Sequence, residues 1–182
     1  MLTLKVVLCA LVMIPVAADA QRGGGRRGTA PPNYDALLRE DRGATQTISK
    51  RDMDWISPTK VIVDKRKALA LTDDQVKGLK DLAAALQTTN DTLFKQLDSL
   101  RNEMKPNKQL SPQVEGIRVR GVRTSVVEVV KAIRANYDAA EPGILALLTE
   151  PQQKTANELL DKLQEDADAM IQEKLGGRKR GS

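Results

Sequence analysis

Few side chains in this sequence are suited to acid–base or covalent chemistry. The chain of 182 residues contains no histidine and one cysteine, Cys9, so the usual general base is missing and the usual thiol nucleophile lies near the N-terminus. Its carboxylates fall at predicted helix starts or on predicted polar helix faces. For Asp161, Glu165, Asp166 and Asp168 this pattern favours a solvated helix face over a calcium site. We therefore expect no enzyme, no bound metal and no cofactor.

Binding is the chemistry that the sequence favours, and the candidate residues are basic. Residues 117–123 alternate arginine with small or apolar residues, and further bases follow on the same predicted helix. Long-range attraction would raise the encounter rate with acidic or partly unfolded chains, and an adjoining apolar seam would then hold exposed hydrophobic segments. For any single residue, solubilising charge on a helix face is the alternative. The predicted binding residues for such client proteins are Arg118, Arg120, Arg123, Lys131 and Arg134.

Two copies of one pattern, L-T-x-x-Q, open two predicted helices. A threonine followed three residues later by glutamine is a capping box. The hydroxyl accepts a hydrogen bond from an amide of the first turn, and the glutamine side chain reaches back to the threonine amide. We predict that the motif residues cap these helices. They are Leu71, Thr72 and Gln75 in the first copy, and Leu148, Thr149 and Gln152 in the second.

The repeated motif resembles the two signature segments of the Spy/CpxP family of bacterial envelope chaperones. The resemblance covers residues 58–175 and rests on the two motifs and the order of the helices. It implies a small all-helical protein that pairs into a curved, cradle-shaped homodimer. It also implies that this protein holds non-native proteins without ATP.

Residues 1–20 have the layout of a secretory signal peptide. A lysine precedes an apolar run at 6–17, and Ala18-Asp19-Ala20 provides a small-x-small cleavage site. The run is too short and too interrupted for a membrane anchor, and the residue before Cys9 is too bulky for a lipoprotein signal. We therefore expect a periplasmic protein that begins at Gln21, has no thiol and does not insert stably into the membrane.

Composition divides the remaining chain into three parts. Residues 21–57 are rich in Gly, Arg and Pro and are predicted to be largely disordered, residues 58–175 form the helical domain, and residues 176–182 form a basic flexible tail. Basic tails are typical of nucleic-acid or anionic-lipid binding. Secretion argues against nucleic acid, whereas contact with an anionic envelope surface stays open. With 2% aromatic residues, the core must consist of aliphatic side chains, which suit helix-on-helix packing.

Apolar periodicity predicts four helices. They are expected at 59–70, at 72–105, from 111 to a kink or break at Pro142-Gly143, and at 149–176.

A heptad seam runs along the second of these helices from Val76 to Met104, interrupted by Asn90, and a similar seam on the third is interrupted by Asn136. Each asparagine either faces water or fixes the register of the packing at some cost in stability. The seam is longer than one short helix and one return helix would cover, so we expect a second subunit. The predicted fold is all-α, with four helices in elongated antiparallel, coiled-coil-like hairpins that form a curved homodimer.

These features predict an ATP-independent periplasmic chaperone. It would bind unfolded or misfolded envelope proteins on a basic and apolar concave surface and suppress their aggregation. The alternative is a regulatory protein that occupies the periplasmic domain of an envelope-stress sensor kinase and is displaced by misfolded protein. Both functions would use the same surface, and the sequence does not separate them.

Overall fold

A computed structural model describes residues 33–34 and 47–176 of the chain. The described part is all-α and contains five helices and no strand. The helices are α1 (Lys50–Trp55), α2 (Pro58–Asp64), α3 (Asp73–Glu103), α4 (Pro112–Ala146) and α5 (Glu150–Gly176).

The long antiparallel pair of α3 and α4 is the framework of the molecule. Leu79, Leu86 and Leu97 of the α3 seam are buried in this single chain, as are Val126 and Ile133 of α4. The chain's own helices therefore cover part of the predicted seam. Its other residues along α3 are half-buried in the single chain: Val76, Ala83, Leu93, Leu100 and Met104. The second subunit stays a prediction.

The two seam asparagines pair with each other across the hairpin. Asn90 is fully buried, and its Oδ1 accepts a hydrogen bond of 2.6 Å from Nδ2 of Asn136. Asn90 thus lies in the interface rather than facing water. Because a slip of the hairpin would separate the two amides, the pair favours one register of α3 against α4.

Helix α5 returns along part of α4 and ends at α1. Arg134 of α4 forms an ion pair of 3.4 Å with Asp168, and Lys174 near the end of α5 forms one of 2.7 Å with Asp52 of α1. Helix α2 packs against α3, α4 and α5. Helices α1, α2 and α5 together form a third layer beside the α3–α4 hairpin. This layer covers the end of the hairpin where both motifs lie, and the middle of α4.

Several predicted boundaries are corrected. The additional helix α1 lies in the segment predicted to be largely disordered, and Ile48, Met53 and Ile56 of that segment are buried in the core. Its Ser49 forms a complete capping box with Asp52. The short helix α2 ends at Asp64 rather than residue 70, and a non-helical turn follows it.

Of the kink or break predicted at Pro142-Gly143, the break is wrong, because α4 continues through Pro142 to Ala146. Proline removes one amide donor and crowds the carbonyl four residues earlier. Here both Pro142 and Asp138 are exposed, so water can solvate the carbonyl that loses its donor. Only the last turn of the helix follows this position.

The predicted signal peptide and the basic C-terminal tail lie outside the described residues. Among the residues that the structure describes, none of the helices is long and apolar enough to cross a bilayer.

Candidate functional site

The first motif forms the capping box that the sequence predicts. Thr72 is the N-cap of α3: its Oγ1 accepts from the amide of Gln75 at 3.2 Å, and Oε1 of Gln75 accepts from the amide of Thr72 at 3.0 Å. In the second motif, Oε1 of Gln152 accepts from the amide of Thr149 at 2.9 Å. The prediction that the motif residues act at helix starts is thereby confirmed for Thr72, Gln75 and Gln152.

Both glutamines also bind beyond their own helices. Nε2 of Gln75 donates to the carbonyl of Leu147 at 2.9 Å and to Oε1 of Gln152 at 2.8 Å. Nε2 of Gln152 donates to the carbonyl of Leu69 at 3.0 Å and to that of Ala70 at 3.2 Å. Each motif thus binds the chain segment that immediately precedes the other motif, and the two glutamines bind each other.

This reciprocal arrangement explains why the motif ends in glutamine. A glutamate would complete a capping box equally well and would suit the positive end of the helix dipole better. It would have no N–H to donate to the carbonyls of the other motif. The missed signal in the sequence is that both copies carry an amide where a carboxylate would serve the capping role.

The segment before the first motif is shaped to meet Gln152. The amide of Leu71 donates to the carbonyl of Arg66 at 2.9 Å and that of Ala70 to Lys67 at 3.3 Å, the bonding pattern of a Schellman motif. Ala70 has a φ of 48°, in the left-handed region where glycine is usual. Its carbonyl and that of Leu69 are thereby presented to the glutamine amide.

Gln153, the residue after the second motif, also binds backbone carbonyls. Its Nε2 donates to the carbonyl of Leu145 at 2.9 Å and to that of Leu148 at 3.1 Å. These carbonyls lie at and just after the end of α4, where backbone carbonyls lack the full set of helical partners; that of Leu145 also accepts from the amide of Leu148 at 3.0 Å. We refer below to the end of the α3–α4 hairpin that carries both motifs as the motif end.

The opposite end of the hairpin, residues 98–121, is called the tip. None of its residues is buried, and two apolar side chains are largely exposed: Val114 at 50% and Ile117 at 73%. The basic side chains of the tip outnumber its acids. The bases are Arg101, Lys105, Lys108, Arg118 and Arg120, and the acids are Asp98, Glu103 and Glu115.

Arg118, predicted to bind clients, closes the connection between α3 and α4. Its Nε and Nη2 donate to the two carboxylate oxygens of Glu115 at 2.8 and 2.6 Å, and its guanidinium also donates to the backbone carbonyls of Glu103 and Lys105. The bonds from Arg118, and one from the amide of Asn107, lower the pKa of Glu115 to about 2. Arg118 is therefore committed to holding the tip together.

The other predicted binding residues do not form one exposed edge. Arg123 is buried, with 8% of its surface accessible, and Arg134 is paired with Asp168. Burial raises the pKa of Asp168, and Arg134 only partly counteracts this effect. Lys131 is paired with Glu128 at 2.9 Å and lies 5.2 Å from the ring centre of Tyr34.

Arg120 lies on the exposed surface beside the apolar residues of the tip. The structure thus separates the five bases, leaving Arg120 at the tip surface and placing Arg123 and Arg134 in the packed part of α4. Among the described residues, no cluster of three or more carboxylates, histidines or cysteines is placed to hold a metal ion.

Comparison with known proteins yields no relative: no protein-family model, no curated protein and no solved structure matches this chain.

Proposed function

We propose that this protein is an ATP-independent periplasmic chaperone that binds unfolded or misfolded envelope proteins and suppresses their aggregation. The observation that carries the proposal is the tip, where Val114 and Ile117 are exposed beside basic residues. A bound partner would remove these apolar side chains from water. An exposed apolar patch with polar residues around it is typical of an interaction surface. The resemblance of the two motifs to the Spy/CpxP family supports the same function.

The tip offers both parts of the interaction that a holding chaperone needs. Its positive charge attracts acidic or partly unfolded chains over a range of about 8 Å at physiological salt. The exposed apolar side chains then bind hydrophobic segments, and the small size of this surface favours rapid release. Meanwhile the bonds of Arg118 keep the two helix ends together.

An aggregation assay tests the proposal. A chemically denatured client is diluted into buffer without nucleotide, and light scattering is followed with the mature protein at a near-stoichiometric ratio. Suppression supports the chaperone. Its absence contradicts the proposal and favours the alternative, a regulator that occupies an envelope-stress sensor kinase, which is then tested by direct binding to the sensor's periplasmic domain.

A pair of variants on α4 locates the surface. Ile117→Ser removes the most exposed apolar side chain of the tip and should weaken suppression, whereas Ala135→Ser, at an exposed position outside the tip, should not. Neither position is buried, so both variants should keep the wild-type stability. Equal activity of the two variants would remove the tip from the mechanism.

The curved homodimer is part of this proposal. Support for a second copy comes from the family resemblance, from the half-buried residues of the α3 seam and from apolar residues exposed outside it, of which Trp55 is 52% accessible. Sedimentation at micromolar concentration should show a dimer. A stable, active monomer would leave the chaperone proposal intact and exclude the dimer.

A further inference from the structure

A cleft of about 310 Å³ lies between the α1–α2 corner and one stripe of α3. Its lining is mixed. Apolar surface comes from Ala83, Leu86, Phe94 and the ring of Tyr137, and polar groups come from Asp54, Ser57, Thr59, Lys60, Gln87 and Asn90. The hydroxyl oxygens of Ser57 and Thr59 are 3.1 Å apart and bind each other. The volume is at the small end of the range of ligand pockets, large enough for one side chain and a peptide group but not for a folded domain.

Asn90 also lines this cleft, and it carries a hydrogen-bond donor without an acceptor. The residue is fully buried, and its Oδ1 is occupied by Asn136. Its Nδ2 has no hydrogen-bond partner among the described residues. A buried donor without an acceptor is costly, and a native structure rarely keeps one without a reason.

The chemistry of the cleft defines what would fit it. Asn90 requires an acceptor, and the apolar lining requires an aliphatic or aromatic group next to that acceptor. Asp54 and Lys60 give the cleft one acidic and one basic residue, so neither sign of charge dominates. A neutral ligand with a carbonyl oxygen beside an apolar side chain meets all three conditions, and an extended polypeptide presents this combination at every apolar residue.

We propose that the cleft is a client subsite that takes one apolar side chain of an unfolded segment, and that the buried amide of Asn90 turns into the cleft on binding so that its Nδ2 donates to a backbone carbonyl of that segment. This inference rests on the proposed chaperone function and adds a second binding surface to the tip. A hydrogen bond from an asparagine amide to a backbone carbonyl does not depend on the sequence of the client, and a chaperone requires this independence. The apolar lining selects the hydrophobic segments that a folded protein would hide.

The probe for this site is N-acetyl-leucinamide, which carries the carbonyl and the apolar side chain of a peptide. In an NMR titration of the full mature protein, it should shift the side-chain amide of Asn90 and the signals of Thr59 in a saturable manner. N-acetyl-glycinamide has the same carbonyls without the side chain and should bind about tenfold more weakly or worse.

Matched variants on α3 test the location. Ala83→Met fills the cleft and should abolish binding of the probe, whereas Ala85→Met makes the same change at an exposed position that does not line the cleft. Asn90→Leu removes the donor and should also abolish binding. Retained binding by Ala83→Met, or shifts confined to another surface, would overturn the assignment even if Asn90→Leu failed to fold.

The aggregation assay, run on the same variants, separates failure of this inference from failure of the proposed function. Weaker suppression by Ala83→Met than by Ala85→Met supports the subsite. Suppression by the wild-type protein without probe binding overturns the subsite and leaves the chaperone intact. Specific probe binding without any suppression overturns both, and makes the cleft a site for a small carbonyl-bearing ligand.

Discussion

The two ends of the α3–α4 hairpin are stabilised by different means. At the motif end, Gln75 and Gln152 each donate to a backbone carbonyl that precedes the other motif, and they also bind each other. At the tip, Arg118 holds the helix connection through a bidentate pair with Glu115 and through bonds to the backbone carbonyls before the turn, and no residue from 98 to 121 is buried. Both ends therefore have side-chain bonds to backbone carbonyls, but the motif end is also packed against other helices.

This difference separates stability from binding along one framework. Regions with few buried apolar contacts open locally at a lower free energy than the packed core. The tip can expose apolar residues and adapt to a partner because the motif end fixes the helices. We therefore interpret the motif as an element that stabilises the fold. We propose that client proteins bind at the tip and at the cleft beside α3.

The largest expected effect comes from removing one amide donor at the motif end. Gln75→Glu keeps the capping acceptor but loses the donor to Leu147 and places a carboxylate against Oε1 of Gln152. We expect a loss of about 1–2 kcal/mol in the free energy of unfolding, because two part-buried acceptors lose their donor and a charge is placed against one of them. Urea unfolding followed by circular dichroism measures this loss.

Gln96→Glu makes the same change at an exposed position of α3 and should alter the unfolding free energy by less than about 0.5 kcal/mol. A double-mutant cycle of Gln75→Ala and Gln152→Ala should show that the double variant loses less than the sum of the single variants, since the two glutamines share a bond. Additive losses would mean that the two motifs are not coupled.

Removal of the helix caps should have the next largest effect and should differ between the ends. Thr72→Ala at the motif end should cost about 1 kcal/mol, while leaving client capture per folded molecule nearly unchanged. Ser111 caps α4 at the tip through a longer bond of 3.5 Å to the amide of Val114, so Ser111→Ala should cost less. The urea midpoints of the two variants measure this difference. A Thr72→Ala protein that is fully stable but inactive would show that the motif contacts clients directly.

The sequence was sufficient to predict the parts of this fold that depend on local patterns. The starts of α3 and α5 follow from the motifs, because a capping box is a relation between residues three positions apart. The all-α class follows from apolar spacing. The cross-links were not predictable, because they join carbonyls that become neighbours only when the two motifs meet.

The misjudged features differ in origin. Arg118 and Arg134 occur in a basic helical stretch typical of a solvated face. The carboxylate partner of Arg134 lies on another helix, whereas that of Arg118 lies only three residues away on the same helix and was overlooked. Helix α1 was missed because it has six residues and Met53 is the one buried among them, which is too few to show a period. Pro142 would break an isolated helix. Here α4 continues, because Glu141 before the proline and Ile144 after it are buried against the rest of the protein.

Glycine substitutions test the packing difference between the ends with a smaller effect. A Cβ at Gly121, in the tip, would meet no atom within 4 Å, so Gly121→Ala should stabilise the protein by about 0.5–1 kcal/mol. A Cβ at Gly78, near the motif end, would lie 3.2 Å from Cδ2 of Leu147. Gly78→Ala should therefore gain less or lose stability, and equal gains in thermal unfolding would contradict the tighter packing assigned to the motif end.

The smallest expected effect is the response of the tip to acid. The pKa of Glu115 is lowered from its ordinary 4.5 to about 2, mainly by the bond from Arg118, so its stabilising contribution is fully present above pH 4.5 and is lost as the pH falls towards 2. Because the pair is solvent-accessible, the loss should be confined to faster amide exchange at the tip while the amides of α3 next to the motif stay protected. NMR titration of the Glu115 carboxylate should give the low pKa directly, and Glu115→Gln should remove the pH dependence of exchange at the tip. An ordinary pKa near 4.5 would show that Arg118 does not hold this end, and the tip would then depend on the hairpin seam alone.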